Sequence, residues 1–195
     1  GSGGGAAATR RPGWLTACHQ RAPTGARCLV TGTSGDVSDK VGAGTLAAAL
    51  VDGPASHDDL NGCIAFREEM VLITSLEHAP IHSARDTQGD TLFAFGNSCS
   101  YRTRLESWYR DSQSAPHSVM EIQSYHAMVA CVAGGGGVAM IPASVLAQMP
   151  ARALVQQHSL PPTWRDTATW LMWRRDAFTP NVVVLKSLIF EMFDD

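Results

Sequence analysis

Charge is scarce in this chain, and positive charge does not predominate. Charged residues are 17% of the 195, with 15 Lys and Arg against 18 Asp and Glu, for a net charge of -3. A surface that neutralises phosphate backbones needs a basic excess, so this chain by itself is not expected to bind nucleic acid. Long apolar runs are missing too: none approaches the roughly 20 residues that a membrane-spanning helix requires. No basic segment followed by an apolar stretch opens the chain, so a soluble protein without a secretory leader is expected. The five cysteines, Cys18, Cys28, Cys63, Cys99 and Cys131, are odd in number and include no C-x-x-C pair. That pattern argues against a disulfide framework or a zinc knuckle, and a reducing cytoplasm is the expected compartment.

What the chain does have is apolar substance and a changing period. Hydrophobic residues make up 45%, enough to bury the core of one large domain or of two smaller lobes. Residues 26–30 read as a short strand, 31–35 as a turn, and 46–51 as a second apolar run. A short helix is expected between them, with Asp36 in its first turn, where a carboxylate suits the helix dipole, and Val37 and Val41 as its apolar stripe. A second β-α-β unit follows, with a strand at 118–122, a helix at 124–133, a glycine tract at 134–137 and a strand at 138–141 stopped by Pro142. The glycines there suit a tight passage from helix to strand. Further strands are expected at 70–74 and 91–95. A helix from about Ser100 would turn Thr103, Leu105, Trp108 and Tyr109 inward and leave Arg102, Arg104, Glu106 and Arg110 in water. The chain ends with a strand at 168–173, a break at Thr179-Pro180 and a helix at 181–193 whose inner face is Val184, Leu185, Leu188, Ile189 and Met192. Such alternation argues for an α/β fold with parallel or mixed sheets covered by helices.

Four segments, CLVTGTSGDVSDKVGAGTLAAALVDGP, EEMVLITSLEHAP, GDTLFAFGNSCSYRTRLESWY and VMEIQSYHAMVACVAGGGGVAMIPASVL, occur in the order that resembles the effector-binding domain of LysR-type bacterial transcriptional regulators. The resemblance implies two Rossmann-like lobes of the periplasmic-binding-protein type II kind, joined by two crossover strands, with a small-molecule effector in the cleft between them. It assigns residues 1–75 plus 166–195 to the first lobe and 76–165 to the second. It also implies that the family's N-terminal winged helix-turn-helix lies outside this chain, so that DNA contact belongs to that domain. The chain is then a sensor rather than an enzyme, and it pairs as a homodimer or tetramer with residues 35–46 and 126–137 facing a partner. One departure stands out. The family's leading strand is missing, and Gly1–Gly5, which reads as a loop or a cloning scar, is followed by Ala6-Ala7-Ala8-Thr9, so only Ser2 and Thr9 keep a hydroxyl on that wall.

Open α/β sheets hold ligands at the carboxyl ends of their strands, which selects the loops at 1–5, 51–54, 96–100 and 123–126. The run Gly96-Asn97-Ser98-Cys99-Ser100 places small polar side chains and backbone N–H groups at a helix N-terminus, an arrangement that suits a carboxylate. The expected effector-binding residues are therefore Ser2, Asp52, Gly53, Asn97, Ser98, Cys99, Ser100, Arg102, Ser124 and His126, and the expected effector is a small polar or anionic metabolite. Each serine also has a plain reading as a helix N-cap, worth about 1 kcal/mol, and His126 has one as a surface or packed side chain. Two alternatives share these residues: an extracytoplasmic solute-binding protein, and a thiol redox sensor in which the helix end and Arg102 activate Cys99.

No catalytic residue, metal or cofactor is expected. His78 and His82 have an H-x-x-x-H spacing that suits zinc only on a helix, and Pro80 between them opposes a helix. Gly32-Thr33-Ser34-Gly35 sits where a hydrolase's nucleophile elbow would, but its fifth position is Asp36 instead of glycine. The glycine tract lacks the Lys-Ser/Thr of a phosphate loop.

Overall fold

The computed structural model describes residues 33–54 and 58–193. The expected strand at 26–30 and the candidate Ser2 lie outside the described residues. The chain divides into two compact units, Gly1–Arg67 with Thr167–Asp195, and Glu68–Asp166.

In the first unit, helix α1 (Ser34–Gly42) precedes strand β1 (Ala48–Asp52), strand β2 (Leu60–Ser75) enters, and β7 (Asp166–Arg174) and helix α6 (Pro180–Phe193) complete it. The capping box that starts α1 is reciprocal: Asp36 N–H donates to Thr33 Oγ1 at 3.2 Å, and Thr33 N–H donates to Asp36 Oδ2 at 3.4 Å. Ser34 and Gly35 therefore belong to the helix and not to a turn, because Thr33 supplies the cap two residues before Gly35, where the expected turn ends. Strand β1 pairs antiparallel with β7, Leu50 opposite Leu171. Alternation along these strands sends Leu50, Leu171 and Trp173 to Val182 and Ile189 of α6, and sends Ala49, Val51 and Met172 to Val37 and Val41 of α1. The buried residues of α6 are Val182, Leu188 and Ile189, with Val184 and Leu185 half-buried, and the side chain of the expected Met192 lies outside the described residues.

The second unit holds the rest of β2, a 3-10 turn (Ala84–Thr87), β3 (Thr91–Ala94), α2 (Ser100–Asp111), β4 (Ser118–Glu121), α3 (Tyr125–Ala133), β5 (Val138–Pro142), short helices α4 (Ala143–Ala147) and α5 (Pro162–Arg165), and β6 (Val155–Ser159). Strand β2 begins ten residues before the expected Met70, since polar Asn61, Arg67 and Glu69 interrupt its apolar run. It lies between β6 and β5, antiparallel to both. Strands β5, β3 and β4 are mutually parallel, in that order outward. Every residue of β5 is buried, including Pro142, while every residue of the edge strand β4 is exposed. Pro142 thus ends the strand from within it and serves as the N-cap of α4. One face of this sheet carries α2, packing Leu105, Trp108 and Tyr109 on Leu72, Leu92 and Met140; the other carries α3, packing Met128, Val129 and Val132 on Ile73, Phe93 and Ile141. Thr103, expected inside, is exposed, and Tyr101 takes the inward position four residues before Leu105.

The glycine tract joins α3 to β5 at close quarters. Gly137 has φ +153°, and a Cβ there would lie 2.0 Å from the carbonyl oxygen of Thr91 in β3. Gly134 has φ -76°, and a Cβ there would make only ordinary contacts, at 3.6 Å from the Ala130 and Cys131 carbonyl oxygens. Gly137→Ala is therefore expected to lower unfolding free energy by about 2 kcal/mol or more, and Gly134→Ala to change it by under about 1 kcal/mol. Denaturant unfolding of the two variants checks the difference; equal effects would contradict the close approach.

Candidate functional site

Parallel pairing brings the carboxyl ends of three strands together in the second unit. Ala94 of β3 faces Glu121 of β4, and the Ile122 N–H reaches back to the Ala94 carbonyl at 2.9 Å, prolonging the ladder into the loop. The chain after β3 then turns tightly, with the Cys99 N–H donating to the Gly96 carbonyl at 2.9 Å. A Cβ at Gly96 would stand 3.1 Å from the Glu121 carboxylate, which would have to give by a few tenths of an ångström to admit it. Helix α2 starts directly after Cys99, whose side chain gives its first turn no capping hydrogen bond. The end of a twelve-residue helix, with its partial positive charge, thus opens between the loops that follow β3 and β4.

The sequence candidates fall into place unevenly. Asn97 and Ser98 are exposed at the turn, and Cys99 and Ser100 are half-buried beneath it. Arg102, expected in water, has a side chain only 14% exposed, because its guanidinium donates to Glu106 Oε1 at 2.8 Å and to the Phe95 carbonyl at 3.2 Å, and stands 4.0 Å from Glu121. It therefore holds the turn against the helix. Ser124 is the N-cap of α3, accepting from the Ala127 N–H at 3.4 Å, and His126 is exposed on the first turn of that helix. Asp52 and Gly53 lie in the first unit, at the end of β1. There the Asp52 N–H donates to Ser34 Oγ at 3.0 Å, Asp52 Oδ1 accepts from Thr167 Oγ1 at 2.8 Å, and Gly53 has φ +87°. The Ser34 hydroxyl, at the position of the rejected nucleophile elbow, is thus engaged in joining α1 to β1.

Three further polar side chains stand at this edge of the second unit. Tyr125, just beyond the Ser124 cap, is 6% exposed and meets the Phe95 ring edge-on at 4.9 Å. Burial, followed by the nearby Tyr101, Cys99 and Glu68, holds its phenol well above the usual range. Glu68 is buried where β2 enters the unit and accepts from Ser144 Oγ of α4 at 2.9 Å. The run Gln123-Ser124-Tyr125-His126 marked the loop in the sequence, but a tyrosine at the start of a helix reads first as packing, and a glutamate inside an apolar strand reads as an edge residue.

His78 and His82 lie outside this edge, in a non-helical segment. His78 Nε2 faces Asp90 Oδ2 at 2.9 Å and Nδ1 faces the Ala79 carbonyl at 2.7 Å, so both ring nitrogens meet acceptors. No group of three or more His, Cys, Asp or Glu that could hold a metal occurs among the described residues.

The family pattern described as "LysR substrate binding domain" matches residues 1–191. Among curated relatives, the chain is 31% identical over 148 residues to the HTH-type transcriptional regulator GltR of Bacillus subtilis (strain 168), covering 76% of this chain and 50% of that one. It is 29% identical over 172 residues to the HTH-type transcriptional regulator SoxR of Arthrobacter sp. (strain TE1826), covering 88% and 58%. The chain thus spans between half and three fifths of the length of these regulators. The BenM effector binding domain, solved with its effector benzoate, superposes with a TM-score of 0.78 at 16% identity over 98% of this chain and 90% of that one. At that identity the likeness concerns the fold, a type II periplasmic-binding-protein arrangement.

The two acceptors around His78 generate a prediction. Burial alone would lower its pKa, but the Asp90 hydrogen bond, the Ala79 carbonyl and the charges of Asp90 and Asp86 outweigh it, and the net shift is upward from 6.5. A raised folded-state pKa stabilises the fold fully below the unfolded value and loses that contribution as pH rises through the folded one. His158 is shifted downward, first by burial and then by His78, so it acts in the opposite sense. The difference in melting temperature between wild type and His78→Asn is therefore expected to shrink as pH rises from about 6 to about 8.5; a difference independent of pH would contradict the imidazolium assignment.

Proposed function

Because the chain belongs to the LysR substrate-binding domain family, we propose that it is the ligand-sensing part of a DNA-binding transcriptional regulator, and that it takes a small carboxylate or similar polar anion at the N-terminus of α2. The observation that carries this reading is the start of α2, where Cys99 makes no side-chain capping hydrogen bond and Ser98 and Ser100 are exposed and half-buried, following β3 where it pairs in parallel with β4. A helix end of this kind favours negative charge through both its dipole and its unsatisfied N–H groups. Benzoate, named as the effector of the structurally similar BenM domain, is a carboxylate.

In the whole regulator, DNA contact would come from a helix-turn-helix outside this chain. Ligand binding would act through differential affinity for two states of the lobes expected at 1–75 with 166–195 and at 76–165, within a cytoplasmic homodimer or tetramer. No helix among the described residues is long and apolar enough to cross a membrane. The curated relatives are named as regulators, which supports a sensing role over catalysis and over extracytoplasmic solute binding.

Differential scanning fluorimetry of the chain against small carboxylates, amino acids and amines tests the reading. A ligand that binds only the folded state stabilises it by about 2.7 kcal/mol at 100 times its Kd. A saturable rise with carboxylates is expected, reduced at least about tenfold in affinity by Ser100→Ala with the ligand-free midpoint nearly unchanged. A rise confined to amines, or one untouched by Ser98→Ala and Ser100→Ala together, would overturn it.

A further inference from the structure

Tyr125 is a tyrosine where a phenylalanine would pack as well. Its ring rests edge-on against Phe95, the residue that leads from β3 into the 96–99 turn. Its hydroxyl is shut off from solvent and makes no hydrogen bond to any described residue. Native proteins rarely leave such a group unmatched, since burying a hydroxyl forfeits its bonds to water. The surroundings point in one direction. The ring it sits on is held against Phe95 at the entry to the turn that leads into α2, and Cys99 and Tyr101, the residues on either side of Ser100, are among the ionisable groups near it. Glu68 is near as well, with one of its oxygens already receiving the Ser144 hydroxyl.

We propose that Tyr125 is a ligand-binding residue of this sensor, whose hydroxyl donates to one oxygen of a bound carboxylate while the N–H groups at the start of α2 hold the other. The assignment rests on the carboxylate site proposed above and adds its floor. A phenol is an uncharged donor, and the helix end next to it favours an anion, so the two features converge on a carboxylate oxygen and discriminate against an ammonium group. The Phe95 contact fixes the ring, so the donor needs no reorientation. Asn97 and Ser98, in the turn that precedes α2, are exposed.

Tyr125→Phe removes a single oxygen and tests the assignment in two ways, using benzoate and succinate as probes. In the ligand-free chain the variant is expected to melt at or above the wild-type temperature, because it removes an unmatched buried hydroxyl. In titrations it is expected to bind each probe that shifts the wild type at least about tenfold more weakly, the usual loss for a hydrogen bond to a charged group. A lowered ligand-free midpoint would mean that the hydroxyl already has a partner in the protein, and would overturn the proposal. A wild-type response retained in full by Tyr125→Phe would overturn the Tyr125 assignment alone. Absence of any wild-type response to either probe would overturn the carboxylate site together with it.

Discussion

Parallel pairing of β3 with β4 and with β5 is the constraint on which the second unit depends. Parallel strands cannot be joined by a hairpin, so each passage from one to the next requires a crossover, and here the crossovers are α2 and α3. The same requirement that produces two helices brings both of their N-termini to the carboxyl edge of the sheet. The candidate site follows from this topology: Asn97 to Ser100 and Ser124 to Tyr125 become neighbours through the register Ala94 opposite Glu121, although about two dozen residues separate them in sequence.

Packing then holds this edge in place. Helix α2 is held along its length. Tyr109 and Thr87 share a buried hydrogen bond at 2.7 Å, and Arg104 Nη1 donates to the carbonyls of Thr163 and Asp166 at 3.0 and 3.1 Å. Asp166 is the residue at which the chain leaves the second unit. At the other end of the helix, Arg102 fastens the 95–99 turn. Helix α3 is fixed differently, by apolar burial of Met128, Val129 and Val132, and by a glycine passage that admits no side chain at 137. Few adjustable parts are left near the start of α2, and the exposed turn is the main one.

The sequence disclosed its strongly periodic parts well. Val37 and Val41 lie on the buried stripe of α1, and the helix read at 124–133 occupies Tyr125–Ala133 after a Ser124 cap, because short amphipathic helices with a clear cap announce both face and start. Strand β2 was half hidden, since a strand that alternates buried Ala65, Phe66 and Glu68 with exposed Arg67 and Glu69 has no continuous apolar run. Short elements such as β6, α4 and α5 carry too few residues to show a period at all. Of the candidate site, the polar turn at 97–100 was legible from composition and position. The commitments of Arg102 to Phe95 and Glu106 and the inward placement of Tyr125 were not, because they depend on tertiary neighbours that no local pattern encodes. Ser2 lies outside the described residues.

The central claim, that a small carboxylate is held at the carboxyl edge of β3 and β4, is tested most directly by mapping backbone amide chemical shifts during a benzoate titration. The account predicts saturable shifts that are largest at the amides of Ser98, Cys99 and Ser100, with smaller ones at Ser124 and Tyr125. Saturable shifts centred elsewhere, with these five amides unmoved, would contradict it.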